Sequence, residues 1–206
     1  MKRGQGRPVS GKNAVGRERL LAAAEKLLRT MPPARVTMTR VAQAAKVDTK
    51  LVRYYFGNRT ALLVAVVDRV TAHGLHETPR NEEPTVALAE HISKTVRFVR
   101  SATFMHRLVI DELAQTGTEA SRARVRKMNL DLVAFYRRLL REDAGRKMVA
   151  ADPLFLHLAV LGASDFFSSA EPLIRELLPA GTDMDKLTEG FQAFLVKLVL
   201  NGLRKR

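Results

Sequence analysis

Apolar residues recur at helical spacing along almost the whole chain. Leu20, Leu21, Ala24, Leu27 and Leu28 form one stripe and predict a helix over 15–30. Pro32-Pro33 ends it. Thr37 is a good N-cap for a short helix over 38–45, with Val41 and Ala45 turned inward. After a break at Lys46-Val47, Asp48 or Thr49 caps a second short helix that runs through Tyr55. Gly57-Asn58 signals a turn. A longer helix is expected over 59–76, carrying Leu62, Leu63, Val66, Val67 and Val70 on one side.

The polar stretch 78–84 has proline at both ends and reads as a loop. Further helices are expected over 85–100, 103–115 and 118–142. The last of these carries Val125, Leu132, Phe135, Tyr136 and Leu139. Asp152-Pro153 is a cap followed by proline at the first helical position, opening an apolar helix over 154–170. Pro172 breaks it and leaves a short helix to Leu178. Pro179-Ala180-Gly181 is a turn, and the last helix covers 183–203. No strand alternation and no repeat appear. The expected fold is all-α, with about nine or ten helices.

Composition narrows the possibilities. The 206 residues include no Cys, which excludes disulfides, thiolate metal sites and thiol chemistry. No run approaches the length of a membrane span, and the first 16 residues lack the apolar stretch of a secretory signal, so a cytoplasmic, nucleoid-associated protein is expected. The formal net charge of +14 is unevenly placed. Residues 1–59 hold 14 Lys and Arg against 3 Asp and Glu, a net +11, while residues 60–206 carry only +3. A basic first segment on a near-neutral body points to a nucleic-acid module joined to something else. We divide the chain into a flexible basic arm (1–14), a helix-turn-helix unit (15–60) and a helical ligand-binding and dimerisation unit (61–206).

The stretch 37–59, TMTRVAQAAKVDTKLVRYYFGNR, carries the function. Ala42 and Ala45 allow two short helices to touch, Val47 follows the turn, and Val52 and Phe56 anchor the second helix. Its outer face is then free for the major groove. By spacing, that face holds Thr49, Lys50, Arg53 and Tyr54. Arg53 and Lys50 can each donate to a guanine edge. Tyr55 and Arg59 lie toward the end, where phosphates would be reached. Thr39 and Arg40, on the first of the two helices, join the candidate DNA-binding set. Tyr54 and Tyr55 also fit core or dimer packing.

From Arg17 to Val67 the chain resembles the tetracycline-repressor-like (TetR) family of bacterial transcription regulators. RERLLAAAEKLL looks like the family's first helix, VTMTRVAQAAKV like its second helix and turn, and DTKLVRYYFGNRTALLVAVV like its recognition helix and the start of the fourth. Beyond this stretch the likeness is one of length and helical pattern. Four features depart from the family pattern, one being the Pro32-Pro33 pair where a glycine commonly ends the first helix's turn. Lys46 stands where a turn glycine is common, which costs about 1 kcal/mol if the residue is left-handed. Arg53 replaces the usual recognition-helix tyrosine, and Arg59 the usual lysine. The resemblance implies phosphate contacts by Thr37 and Arg59. A helix N-terminus suits an anion at Thr37, although a plain cap explains that residue equally well.

Leu154, Leu158, Leu161, Gly162 and Phe166, together with Phe191, Phe194, Leu195, Leu198 and Val199, make the 154–170 and 183–203 helices apolar over more surface than one core needs. The resemblance implies that such helices pair with those of a twin. A twofold homodimer would set two recognition helices on a near-palindromic double-stranded DNA operator. The alternative is that both helices lie inside one monomer core. The resemblance also implies a pocket for an apolar or amphipathic small molecule. Phe98, Phe104, Met105, Met128, Phe135 and Phe166 are candidate walls, and His106, His157 and Asp165 candidate polar contacts; each also fits plain core. His73 and His76 share a helix face, but no Cys and no well-placed carboxylate joins them, so no metal is expected. No cofactor is expected. Phosphate-loop, HExxH and GxSxG motifs are absent, which argues against an enzyme.

The function expected is a sequence-specific repressor released from its operator by a small molecule, with a constitutive or architectural DNA binder as the alternative. Arg3 and Arg7 of the arm would reach the minor groove. The clusters Arg122-Arg124-Arg126-Lys127 and Arg137-Arg138-Arg141 read as a solvated face rather than a second DNA surface.

Overall fold

The computed structural model describes residues 10–74, 83–101, 104, 107–115, 117–143 and 147–205. Among them the elements are helical throughout. They are α1 (Ser10–Leu28), α2 (Met38–Ala45), α3 (Thr49–Phe56), α4 (Arg59–Gly74), α5 (Pro84–Ser101), α6 (Leu108–Gln115), α7 (Glu119–Asp143), α8 (Pro153–Ser169), α9 (Glu171–Glu176) and α10 (Met184–Leu203). A single 3-10 turn, Pro33–Arg35, precedes α2. The one departure from helix is an isolated antiparallel bridge between Met148 and Arg204, which straps the end of α10 to the segment before α8.

The helix starts follow from local chemistry. The Thr37 hydroxyl accepts from the Arg40 amide at 3.2 Å, and the Asp48 carboxylate from the Lys50 amide at 2.6 Å. Asp152 accepts from the Leu154 amide at 2.7 Å, and Asp183 from the Asp185 amide at 2.9 Å. Each cap satisfies an amide that the first helical turn leaves unpaired.

Three expectations change. α1 begins at Ser10, inside the stretch assigned to the arm; the rest of the arm, with Arg3 and Arg7, lies outside the described residues. Of the expected helix over 103–115, the stretch Leu108–Gln115 is π-helical, and residues 103, 105 and 106 lie outside the described residues. Pro84 is the first residue of α5, where its missing N–H costs nothing, rather than the end of a loop; most of 78–84 lies outside the described residues.

Two apolar cores result. The first gathers Leu20, Leu21 and Ala24 of α1, Val41, Ala42 and Ala45 of α2, Val52 and Phe56 of α3, and Leu62, Leu63, Val66 and Val67 of α4. Leu108 and Leu113 of α6 complete it. The second holds Leu88, Ile92 and Val96 of α5, Tyr136 and Leu139 of α7, Val160 of α8 and Leu195 of α10. The charge boundary near residue 60 is therefore not a packing boundary, since α4 and α6 both build the first core.

Lys46 closes α2 in the left-handed region, at φ 53° and ψ 51°. A Cβ is unfavourable there, and glycine is the residue that normally ends a helix this way. Lys46→Gly is expected to stabilise the chain by up to about 1 kcal/mol in urea denaturation. An unchanged or lower midpoint would show that the turn bears no strain.

Candidate nucleic-acid interface

α2 and α3 are joined by only three residues, Lys46 to Asp48, and the Val47 amide donates to the Ala42 carbonyl at 3.0 Å across the turn. On α3 the inner positions Val52 and Phe56 are buried, and the Arg17 guanidinium sits 5.3 Å from the centre of the Phe56 ring. The outer positions follow one stripe. Lys50, Arg53 and Tyr54 are exposed, Tyr54 to 71%, and Thr49 is half-buried at the start of the helix. This stripe is polar and cationic, narrow, and presented on a helix held rigidly from behind, which is the form a major-groove reader needs.

Other members of the expected set do different work. Tyr55 leans inward. A Cβ at Gly16 would come within 2.8 Å of its hydroxyl, so the glycine permits this close approach of α1 to α3. Arg59 is half-buried; its Nε donates to the Val36 carbonyl at 2.9 Å and its Nη2 to the Pro33 carbonyl at 2.7 Å. It braces the segment that leads into α2. Arg40 is exposed and donates to the Arg35 carbonyl at 3.0 Å, while Thr37 caps α2 and Thr39 is exposed beside it.

Residues 20–66 match the family model of bacterial regulatory proteins, tetR family. Within those residues the chain carries a tetR-family domain. Compared with curated protein sequences, it finds no match. Among solved structures it is similar to AibR in complex with isovaleryl coenzyme A and operator DNA, at 15% identity and a TM-score of 0.69, covering 89% of this chain and 97% of that one. It is also similar to a transcriptional regulator of the TetR/AcrR family from Thermobifida fusca, at 18% identity and 0.62, covering 92% and 98%. A single-residue variant of TetR from Acinetobacter baumannii, in complex with minocycline, shares 17% identity at 0.57, covering 95% and 96%. At these identities the likeness extends to the fold of the body.

Among the described residues the expected ligand residues are spread over several places. Phe98 and Met128 pack beside the first core. Phe135 and His157 flank Tyr136, at ring distances of 5.6 and 5.8 Å, beside the second core. Phe104 and Asp165 are half-buried, and Phe166 is 65% exposed and faces outward. Met105, His106, His73 and His76 lie outside the residues whose side chains are described. Among the described residues no group of His, Asp and Glu could hold a metal ion.

Among the expected pairing residues, Leu154, Leu158, Phe166, Phe194 and Leu198 are exposed, as is Gly162 between them on α8. Leu161, Phe191 and Val199 are half-buried, and Phe191 stacks on Phe167 at 4.1 Å. Leu195 is only 4% exposed and belongs to the second core, because position 195 falls on the inner side of α10. Phe155, Leu173 and Leu177, absent from the expected set, are exposed as well. Their signal was weak, since a short apolar run says nothing about which side turns outward.

Sequence reading also missed a buried polar cluster. His91 of α5 is 3% exposed, with its ring 4.5 Å from Phe135 and 5.1 Å from Tyr136. His157 follows on α8, its Nε2 3.3 Å from the Asn129 Oδ1. Burial pushes the His91 imidazole down to about 4, helped by His157 and Lys94, and pushes the Tyr136 hydroxyl up. Unfolded, His91 takes its proton near 6.5; folded, it stays neutral until about 4. Its contribution to stability is therefore whole above pH 6.5 and drains away as pH falls toward 4, by up to about 3 kcal/mol. Thermal unfolding between pH 7 and 4 should show this decline, and His91→Leu should flatten it. An equally steep decline in the variant would place the titration elsewhere.

Proposed function

We propose that this chain is a sequence-reading repressor that works as a homodimer in the cytoplasm, at the nucleoid, and leaves a near-palindromic operator when a small molecule binds its body. The observation that carries this reading is the outer stripe of α3. Lys50 and Arg53 offer N–H donors that suit guanine edges, Tyr54 offers a ring and a hydroxyl, and Val52 and Phe56 hold the helix from behind. Thr49 flanks the stripe, and in this reading Thr37, Thr39 and Arg40 at the start of α2 meet the phosphates on either side. Arg59 and Tyr55 act in this reading mainly as supports for the two short helices.

Pairing is supported by the exposed faces of α8 and α10. Leu154, Leu158 and Phe166 run along one, and Phe194 and Leu198 along the other. Apolar surface of this extent on neighbouring long helices favours burial against a second copy. The ligand response is supported by the family, by the minocycline complex of one structural neighbour and by the acyl coenzyme A complex of another.

Fluorescence anisotropy with DNA from upstream of the gene tests the DNA reading. Arg53→Ala is expected to lower affinity for the preferred site by about 10- to 100-fold and to leave binding to random DNA nearly unchanged. Equal loss on both DNAs, or no loss, would assign the chain to sequence-independent binding. For the pairing, sedimentation velocity should give a dimer for the native chain and a monomer for Leu158→Glu/Phe194→Glu, with weaker operator binding. A native monomer would remove the paired-half-site reading.

A further inference from the structure

The outer face of α7 carries more cations than the surrounding acids use. Seven Lys and Arg lie on this helix, and four of them are paired. Arg122 pairs with Glu119 at 2.9 Å, Arg124 with Asp68 at 2.6 Å, Lys127 with Asp131 at 2.9 Å and Arg138 with Glu142 at 3.7 Å. Among the described residues no acid pairs with Arg126, Arg137 or Arg141, and all three are exposed.

The helical period separates the two groups. At about 100° per residue, Arg126, Leu130, Ala134, Arg137 and Arg141 fall within about 80° of one another, turned away from the buried Tyr136 and Leu139. Lys127, Asp131, Arg138 and Glu142 lie along one flank of this stripe as paired charges. Leu130 is 59% exposed at its centre, and Ala123 and Ala134, one on each side along the helix, are exposed too. From Arg126 to Arg141 the stripe is about 22 Å long, four turns of helix. A leucine knob, small residues that let a second backbone come close and charges at the edges are what one helix needs to receive another. Arginine around an apolar centre is also the composition of protein interfaces.

The chemistry of the partner follows. Three guanidinium forks suit carboxylates, and a chain of net charge +14 draws an acidic partner toward it. A nucleic acid fits less well. Over about 22 Å a duplex carries about 13 charges, against three cations beside a neutral flank. An anionic membrane fits less well too, since Leu130 is the one large apolar side chain the stripe could insert.

We propose that the outer stripe of α7 docks an acidic amphipathic helix of another protein, with an apolar residue of that helix against Leu130 and its carboxylates on Arg126, Arg137 and Arg141. The surface is separate from α3 and from the exposed faces of α8 and α10, so this partner binds while the other faces are engaged.

The test is fluorescence anisotropy of the full-length protein with a labelled Ala-rich helical peptide, at an ionic strength of about 0.15 M. The peptide carries one Leu at its centre and Glu four, seven and eleven residues to either side, the spacing of the three arginines about Leu130. The Glu peptide is expected to bind about ten-fold more tightly than its Gln counterpart. Arg126→Gln/Arg137→Gln/Arg141→Gln should weaken it about ten-fold, and Leu130→Asn, which leaves the charge unchanged, about five-fold. Lys50→Gln/Arg53→Gln should leave it nearly unchanged. All these positions are exposed, so the variants should keep the native melting temperature. Equal binding of the two peptides, binding that survives the triple variant, no effect of Leu130→Asn, or an equal loss in Lys50→Gln/Arg53→Gln overturns the assignment. A triple variant that leaves the peptide unmoved and weakens random duplex DNA or phosphatidylserine vesicles about ten-fold makes the stripe a polyanion surface and overturns it as well. Specific binding to promoter DNA is measured apart from the peptide, so the regulator function stands or falls separately.

Discussion

The two-sided burial of α4 is the constraint on which the rest depends. Leu62, Leu63, Val66 and Val67 face a core built by α1, α2 and α3, and Leu108 and Leu113 of α6 close that same core from the body. Close-packed apolar surfaces do not slide by fractions of a side chain, so the orientation of the reading helix is tied to that of the body. Here a shared core and adjacent ion pairs at Asp68 and Arg69 join α4 both to α1 and to α7.

The division of labour among cations follows from burial. Arg53 and Lys50 keep their charged ends in water, ready for a polyanion. Arg59 and Arg17, of the same residue type and only tens of positions away, are used on carbonyl groups and on an aromatic ring. The net charge of the first segment is a property of composition, but only geometry separates the exposed cations from the braces.

The body shows a different economy. Its centre is not purely apolar, because His91, Tyr136 and His157 meet among α5, α7 and α8, where desolvation disfavours the charged form of both imidazoles. Its outer faces on α8 and α10 are apolar where solvent would favour polar residues. Polar groups inside and apolar groups outside are the inverse of what stability alone selects.

The sequence by itself determined the elements that local chemistry sets. The bounds of α2, the caps at Thr37, Asp48 and Asp152, the inward turn of Val52 and Phe56, and the outward stripe of Lys50, Arg53 and Tyr54 all follow from a 3.6-residue period and from side chains that satisfy nearby amides. Tertiary structure alone decided what depends on distant neighbours. Leu108 and Leu113 look like any helix stripe until they are seen in the core of the DNA-reading unit. Leu195 looks like an outward residue until α5 lies against it, and Asp68 and Arg124, 56 positions apart, become a pair only when α4 meets α7. Periodicity states that a side chain turns away from water; it carries no record of which surface receives it.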